Sequence, residues 1–334
     1  MSAVLNAPWI TRQATDLLAQ RGHAWLLQGP SGLGQYELAL ALASAWLCEK
    51  PSAQGACGEC ASCHAIAVRT HADLAVLMPE TQMIELGWPL SEKAQAEIDD
   101  KKRKPSKEIR VEAMRDAVEF SQRTDARGRG KAVLVFPAER MNTITANALL
   151  KTLEEPPGDV RFVLATEASH LLLPTIRSRC LAHTMRWPQD DEAMTWLTGQ
   201  GVPADVAQAL LRSAGGRPSD VLRQAEAGLS PNWWAALPKA MHQGDARYLA
   251  DLSPAQAIDA LQKLCHDLVL RQAGAVPRFF EAAQLPASAA SVSTLTDWFK
   301  RLMQSARTAE HPFNAGLMLE ALAADAQQTL HARG

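Results

Sequence analysis

The sequence predicts a doubly wound α/β domain over residues 1–185, followed by purely helical segments. Three observations carry this. Short apolar runs of β type alternate with Ala/Leu-rich helical stretches up to about residue 185. A glycine-rich turn joins the first such run to the first such helix. Beyond Trp187-Pro188 the strand signals stop and only helical spacing remains.

The elements follow in order. Met1 to Arg21 contains no long apolar core and reads as a surface helix rather than a signal peptide. Ala24-Trp25-Leu26-Leu27-Gln28 reads as a buried parallel strand, and Glu37 to Cys48 as a helix. Asp73–Leu77 is a candidate second strand; Lys131–Phe136 and Arg161–Thr166 are clearer ones. Between those two lies a helix from about Thr143 to Leu153, stopped by Pro156-Pro157. Asp190 to Gly228 reads as a small helical bundle. Pro231 to Arg333 holds further helices, among them Ala255–Gln272 and Ala315–Leu330. Glu92 to Lys107 is polar and ends in mixed charge, so a solvated, mobile loop is expected there rather than a DNA-binding patch. No internal repeat is visible.

Composition bounds the function. The apolar fraction of 47% and charged fraction of 21% are those of an ordinary globular protein. A net charge of −2 gives no global attraction to nucleic acid. No run of 18 apolar residues occurs, so no membrane span is expected and the cytoplasm is the expected compartment.

Gly29-Pro30-Ser31-Gly32-Leu33-Gly34-Gln35-Tyr36 has the glycine spacing of a phosphate-binding loop, including Gly29, Gly32 and Gly34. Gln35 stands where the loop's lysine would contact the β/γ-phosphates, and Tyr36 stands where a Ser/Thr hydroxyl would ligate Mg²⁺. The missing lysine removes a charge-assisted contact worth about 1.5–3 kcal/mol. The second half of such a site is an acidic pair after a later strand. Here Pro137 and Ala138 take those places, and Glu139 comes one residue late. With both halves altered, no intrinsic ATPase and no functional ATP site are expected.

Four of the six cysteines, Cys48, Cys57, Cys60 and Cys63, lie close together in sequence. Four thiolates suit a closed, tetrahedral, structural Zn²⁺ site. An iron–sulfur cluster is the second option, although the Cys-Pro that ends the bacterial ferredoxin run is missing. His64 or His71 could replace one ligand.

From Ala146 to Pro157 (Ala-Asn-Ala-Leu-Leu-Lys-Thr-Leu-Glu-Glu-Pro-Pro) the chain resembles bacterial clamp-loader subunits of the AAA+ class. The resemblance continues through Phe162–Thr166 and through Leu173-Pro174-Thr175-Ile176-Arg177-Ser178-Arg179-Cys180. It takes in the cysteine module. It also reaches the chain's opening (Pro8-Trp9, Arg21-Gly22-His23-Ala24) and its close (His311-Pro312-Phe313-Asn314, Leu317-Met318-Leu319-Glu320). Within that family the chain is similar to the delta-prime type, which lacks a working nucleotide site. The gamma/tau type keeps the lysine and the acidic pair.

The resemblance implies an AAA+ P-loop-type sheet domain (1–185), a helical lid (186–229) and a helical collar for oligomerisation (230–334). It implies that Arg179 reaches the ATP site of a neighbouring subunit as an arginine finger, and that Thr166 holds the sensor-1 position. The sensor-2 arginine position falls on Ser219, with Arg217 two residues away. The implied partners are gamma/tau and delta subunits and, through the complex, the sliding clamp and primed DNA. The implied role is a non-hydrolysing member of the DNA polymerase III assembly, a DNA-directed DNA polymerase (nucleotidyltransferase). Two other readings remain: an active ATPase of the gamma/tau type, against which Gln35 and Pro137 argue, and a zinc-dependent nucleic-acid-binding module.

Overall fold

A computed structural model describes residues 7–226, 230–287, 290–309 and 314–332. The chain divides into two units, residues 1–192 and 193–334.

The first unit opens with α1 (Pro8–Leu18), which starts on a proline and buries Trp9, Ile10, Gln13, Ala14 and Leu17 along one face. Then come β1 (Ala24–Gln28) and α2 (Gln35–Leu47), the helix that follows the glycine loop. Short α3 (Ala61–Ala67) begins on Cys60. It leads through β2 (Leu74–Leu77) to α4 (Glu80–Glu85), α5 (Glu92–Asp99) and α6 (Val111–Gln122). The unit continues with β3 (Lys131–Val135), then α7 (Thr143–Glu154), where the Asn142 side chain accepts from the Thr145 amide as an N-cap. It ends with β4 (Val160–Thr166), α8 (Pro174–Arg177) and β5 (Leu181–Thr184).

All pairings in the sheet are parallel, in the order β2-β3-β4-β1-β5. β1 and β4 run in register from Ala24 opposite Phe162 to Gln28 opposite Thr166. Both faces of the central strands are buried, which is why they read as continuous apolar runs. β5 escapes that signature because it lies at the sheet edge with mostly exposed residues.

The segment 92–107 is not one loop, because Glu92–Asp99 form α5. Ser91 caps α5, and beyond it Arg103 donates to both carboxylate oxygens of Glu80 and to Glu97. Glu80 also accepts from the Ser106 amide at 2.8 Å. One nearly buried carboxylate thus gathers the charged run, and its lysines and aspartates mask this in the sequence. Burial alone would raise the Glu80 carboxyl. The Arg103 hydrogen bonds, the Ser106 amide and Arg110 outweigh it and hold the group below its ordinary value.

Helix α9 (Asp190–Gly199) spans the boundary between the units. The second unit continues with α10 (Ala204–Ser213), α11 (Pro218–Glu226), α12 (Pro231–Gln243), α13 (Pro254–Gln272), α14 (Val292–Thr308) and α15 (Ala315–His331). Its core joins Leu237, Leu261, Leu264, Leu268, Trp298 and Ala326, with Trp234 stacked on Phe280 at 4.7 Å. Buried Asp267 accepts the backbone amides of Arg278, Phe279 and Phe280, fixing the turn after α13. Among the described residues, no helix is long and apolar enough to cross a membrane. His311, Pro312 and Phe313 lie outside the described residues, as do residues 227–229. Asn314 caps α15 by accepting from the Leu317 amide.

Candidate functional site

The loop 29–34 leaves the C-terminal end of β1, which lies between β4 and β5 in the sheet. In open α/β sheets this is the switch point where ligands bind. Gly32 (φ 80°) and Gly34 (φ 91°) take left-handed backbone, and a Cβ on Gly29 would lie 2.9 Å from that of Met185. The backbone scaffold of a phosphate loop is therefore present.

The chain's own side chains bond the loop's carbonyls. Gln35 is only 2% exposed, and its Nε2 donates to the carbonyls of Gly29 and Pro30, both at 2.7 Å. A lysine at this position would extend to a phosphate; this amide turns back and ties the loop to the first turn of α2. Trp9 donates its indole N–H to the Leu33 carbonyl at 3.2 Å, bracing the loop from α1. The Tyr36 hydroxyl accepts from the Trp88 indole N–H at 2.7 Å, and its ring lies 5.5 Å from Phe136. The Arg69 guanidinium sits 4.4 Å over Trp88. Burial pushes the Tyr36 phenol up, so it stays neutral.

The end of β3 agrees. Pro137 and Ala138 hold the places of the acidic pair, and Ala138 is fully buried at the start of a 3-10 turn, Ala138–Arg140. The displaced Glu139 accepts the Thr166 hydroxyl at 2.6 Å and the Glu167 amide at 3.2 Å. Thr166, at the end of β4, is thus bonded to the carboxylate that follows Pro137 and Ala138.

Arg179 follows α8. Its Nη1 donates to the Thr175 carbonyl at 3.0 Å and its Nη2 to Glu154 Oε2 at 3.2 Å. The side chain is 29% exposed. The guanidinium is therefore paired within the chain on a side chain that stays partly exposed. In the second unit Arg217 pairs with Asp220, and the Ser219 hydroxyl is buried without a partner.

The four cysteines come together. Cys48 ends α2, Cys60 begins α3, Cys63 lies in its first turn, and Cys57 is on the exposed loop between. Their Sγ atoms all lie within 4.8 Å of one another, with contacts of 3.7 Å (Cys63–Cys48), 3.8 Å (Cys48–Cys60) and 3.9 Å (Cys57–Cys63). Sulfurs arranged about 2.3 Å from one Zn²⁺ would sit about 3.8 Å apart. The spacing is far beyond a disulfide bond, and the donor set fits a tetrahedral thiolate-bound metal ion.

Backbone amides support the thiolates: Lys50 and Cys57 donate to Cys48 Sγ, and Cys63 donates to Cys60 Sγ. Burial would raise Cys60, but amide hydrogen bonds win and bring it to about 6. Amides of Glu59 and Cys60 draw Cys57 down as well. Burial pushes Cys48 up, and Cys63 up to about 12. Neither His64 nor His71 joins the group. His71 accepts the Asp73 amide on Nδ1, and its Nε2 is buried without a partner.

Several partners escape sequence reading: Trp9, Trp88 and Met185 around the loop, and Glu154 beside Arg179. Each is distant in sequence from the residue it serves. Only the Glu-Glu-Pro-Pro stretch carried a local signal.

The family described as "DNA polymerase III, delta subunit" matches residues 13–188. DNA polymerase III subunit delta' of Pseudomonas aeruginosa is 41% identical over 202 residues, covering 60% of this chain and 55% of that protein. The Escherichia coli (strain K12) subunit delta' is 33% identical over 234 residues, covering 68% and 62%. Subunit tau of Salmonella typhimurium is 35% identical over 159 residues, covering 48% of this chain and 21% of tau. The matched part therefore spans somewhat more than half the length of the two delta' relatives. With a parallel sheet, a glycine loop after its first strand and more than half of its residues matched, the chain belongs to the DNA polymerase III delta subunit family.

Proposed function

We propose that the chain is a non-hydrolysing, delta-prime-type subunit of the DNA polymerase III clamp loader, a rigid member against which ATP-driven subunits move. The observation that carries the reading is Gln35 bonded to the Gly29 and Pro30 carbonyls. With its amide turned back onto the loop carbonyls, Gln35 supplies no charge to a triphosphate. The residues at the end of β3 support it, because Glu139 is already held by Thr166 and the Glu167 amide.

In this reading the chain's chemistry is exercised on a neighbour. Arg179, half-buried after α8, enters the adjacent subunit's ATP site, where a guanidinium stabilises charge on the transferred phosphoryl group by about 10³–10⁵-fold in related NTPases. The neighbours are gamma/tau and delta subunits, residues 186–229 form a lid and residues 230–334 a collar. The assembly loads the sliding clamp onto primed DNA in the cytoplasm; polymerase (nucleotidyltransferase) activity belongs to the holoenzyme. Cys48, Cys57, Cys60 and Cys63 hold a structural Zn²⁺, which ties the end of α2 to α3 and does no chemistry.

The test is reconstitution with gamma/tau and delta subunits. Arg179→Ala is expected to leave co-purification intact and to lower ATP hydrolysis and clamp loading. Undiminished hydrolysis sinks the finger role. Tight Mg-ATP binding by the isolated chain in calorimetry sinks the non-hydrolysing reading.

A further inference from the structure

The ion pair between Glu154 and Arg179 joins two helical ends that the proposed finger depends on. Arg179 carries five N–H donors. The Nε–H points inward and has no partner, Nη1 gives one bond to the Thr175 carbonyl, and Nη2 gives one to Glu154. One N–H on each terminal nitrogen is left, and N–H groups of this kind bond phosphate oxygens strongly. We infer that Glu154 is a positioning residue for Arg179, holding its guanidinium plane so that the unused N–H groups can meet the nucleoside triphosphate of a neighbouring subunit.

The inference rests on the finger reading above. Thr175 lies on α8 and Glu154 ends α7, so the two bonds anchor the guanidinium from separate helices. Glu154 is 59% exposed. An ion pair so open to solvent adds little to stability, so its consequence lies in orientation rather than in folding. Arg179 needs no release to act, since one N–H on each terminal nitrogen is unused while the Glu154 bond is kept.

The experiment compares Glu154→Gln, Glu154→Asp, Arg179→Ala and the Glu154→Gln/Arg179→Ala pair in the reconstituted complex, reading kcat and KM for ATP hydrolysis. Glu154→Gln is expected to lower kcat about tenfold, the lower end of the loss when the partner that orients a metal-ligating side chain is removed. KM for ATP, co-purification and the melting temperature stay unchanged. Glu154→Asp recovers part of the rate, and the paired variant is no slower than Arg179→Ala alone.

A normal or raised kcat in Glu154→Gln, beside a slow Arg179→Ala, overturns the positioning role and spares the finger. Further slowing in the paired variant also overturns it, because Glu154 would then act apart from Arg179. A normal kcat in Arg179→Ala overturns the finger reading itself.

Discussion

The Thr166 hydroxyl donates to Glu139 Oε2 across 2.6 Å, joining the end of β4 to the turn after β3. In a working nucleotide site, groups at these two strand ends would face the phosphates. Here they face each other, and Thr166 is fully buried. Thr166→Val keeps the shape and removes both the donor to Glu139 and the acceptor of the Ala168 amide, leaving Glu139 with the Glu167 amide. A loss of about 1–3 kcal/mol in unfolding free energy is expected. Denaturant unfolding of Thr166→Val and of a Glu139→Gln control measures it; a Val variant as stable as the parent would show the bond contributes nothing.

Restoring the lysine should not restore the site. Gln35→Lys loses the bonds to Gly29 and Pro30 and places an ammonium in a buried niche. Pro137 and Ala138 still supply no carboxylate for Mg²⁺, and Tyr36 still faces Trp88. The variant is expected to be less stable by about 1–3 kcal/mol and to show no Mg-ATP heat in calorimetry. Measurable binding by this single change would mean that the missing charge alone had disabled the loop.

Acid should destabilise the chain through the 80–110 region. The Glu80 carboxyl is held below its ordinary value, so the unfolded chain binds its proton more readily than the folded one. The stabilisation is therefore fully present above the ordinary Glu range and fades as pH falls through the lower folded value. Melting temperature followed from pH 6 downward should drop less steeply in Glu80→Gln than in the parent. Parallel acid limbs would assign the loss to other carboxylates.

Metal analysis of the purified chain should find about one zinc per molecule. Chelation should open the 48–63 module and lower the melting temperature; a loss of about 2 kcal/mol corresponds to roughly 4–8 °C in a unit of this size. Cys48→Ser, at a buried ligand, should mimic the chelated protein. Iron in place of zinc, or no response to chelator, would reject the assignment.

Much of the site was legible because it depends on local spacing. Gly29, Gly32 and Gly34 mark the turn, Gln35 and Tyr36 mark the missing lysine and hydroxyl, and Cys57, Cys60 and Cys63 announce a thiolate cluster. β1, β3 and β4 were visible as apolar runs because both of their faces are covered. Edge strand β5, with its exposed residues, had no such run to show. The charged segment 92–107 misled for the opposite reason: its ionic residues look solvated until Glu80 is placed among them.

The sequence by itself therefore determined the α/β alternation, the altered phosphate loop and the cysteine group, because each is set by neighbours a few positions apart. Tertiary structure alone decided where the side chains turn: Gln35 back onto its loop, Glu139 toward Thr166, Tyr36 toward Trp88 and Arg179 toward Glu154. The last three contacts join residues 25 to 52 positions apart. The strand order of the sheet and the packing of its helices bring such residues within bonding distance, and no local pattern encodes that order.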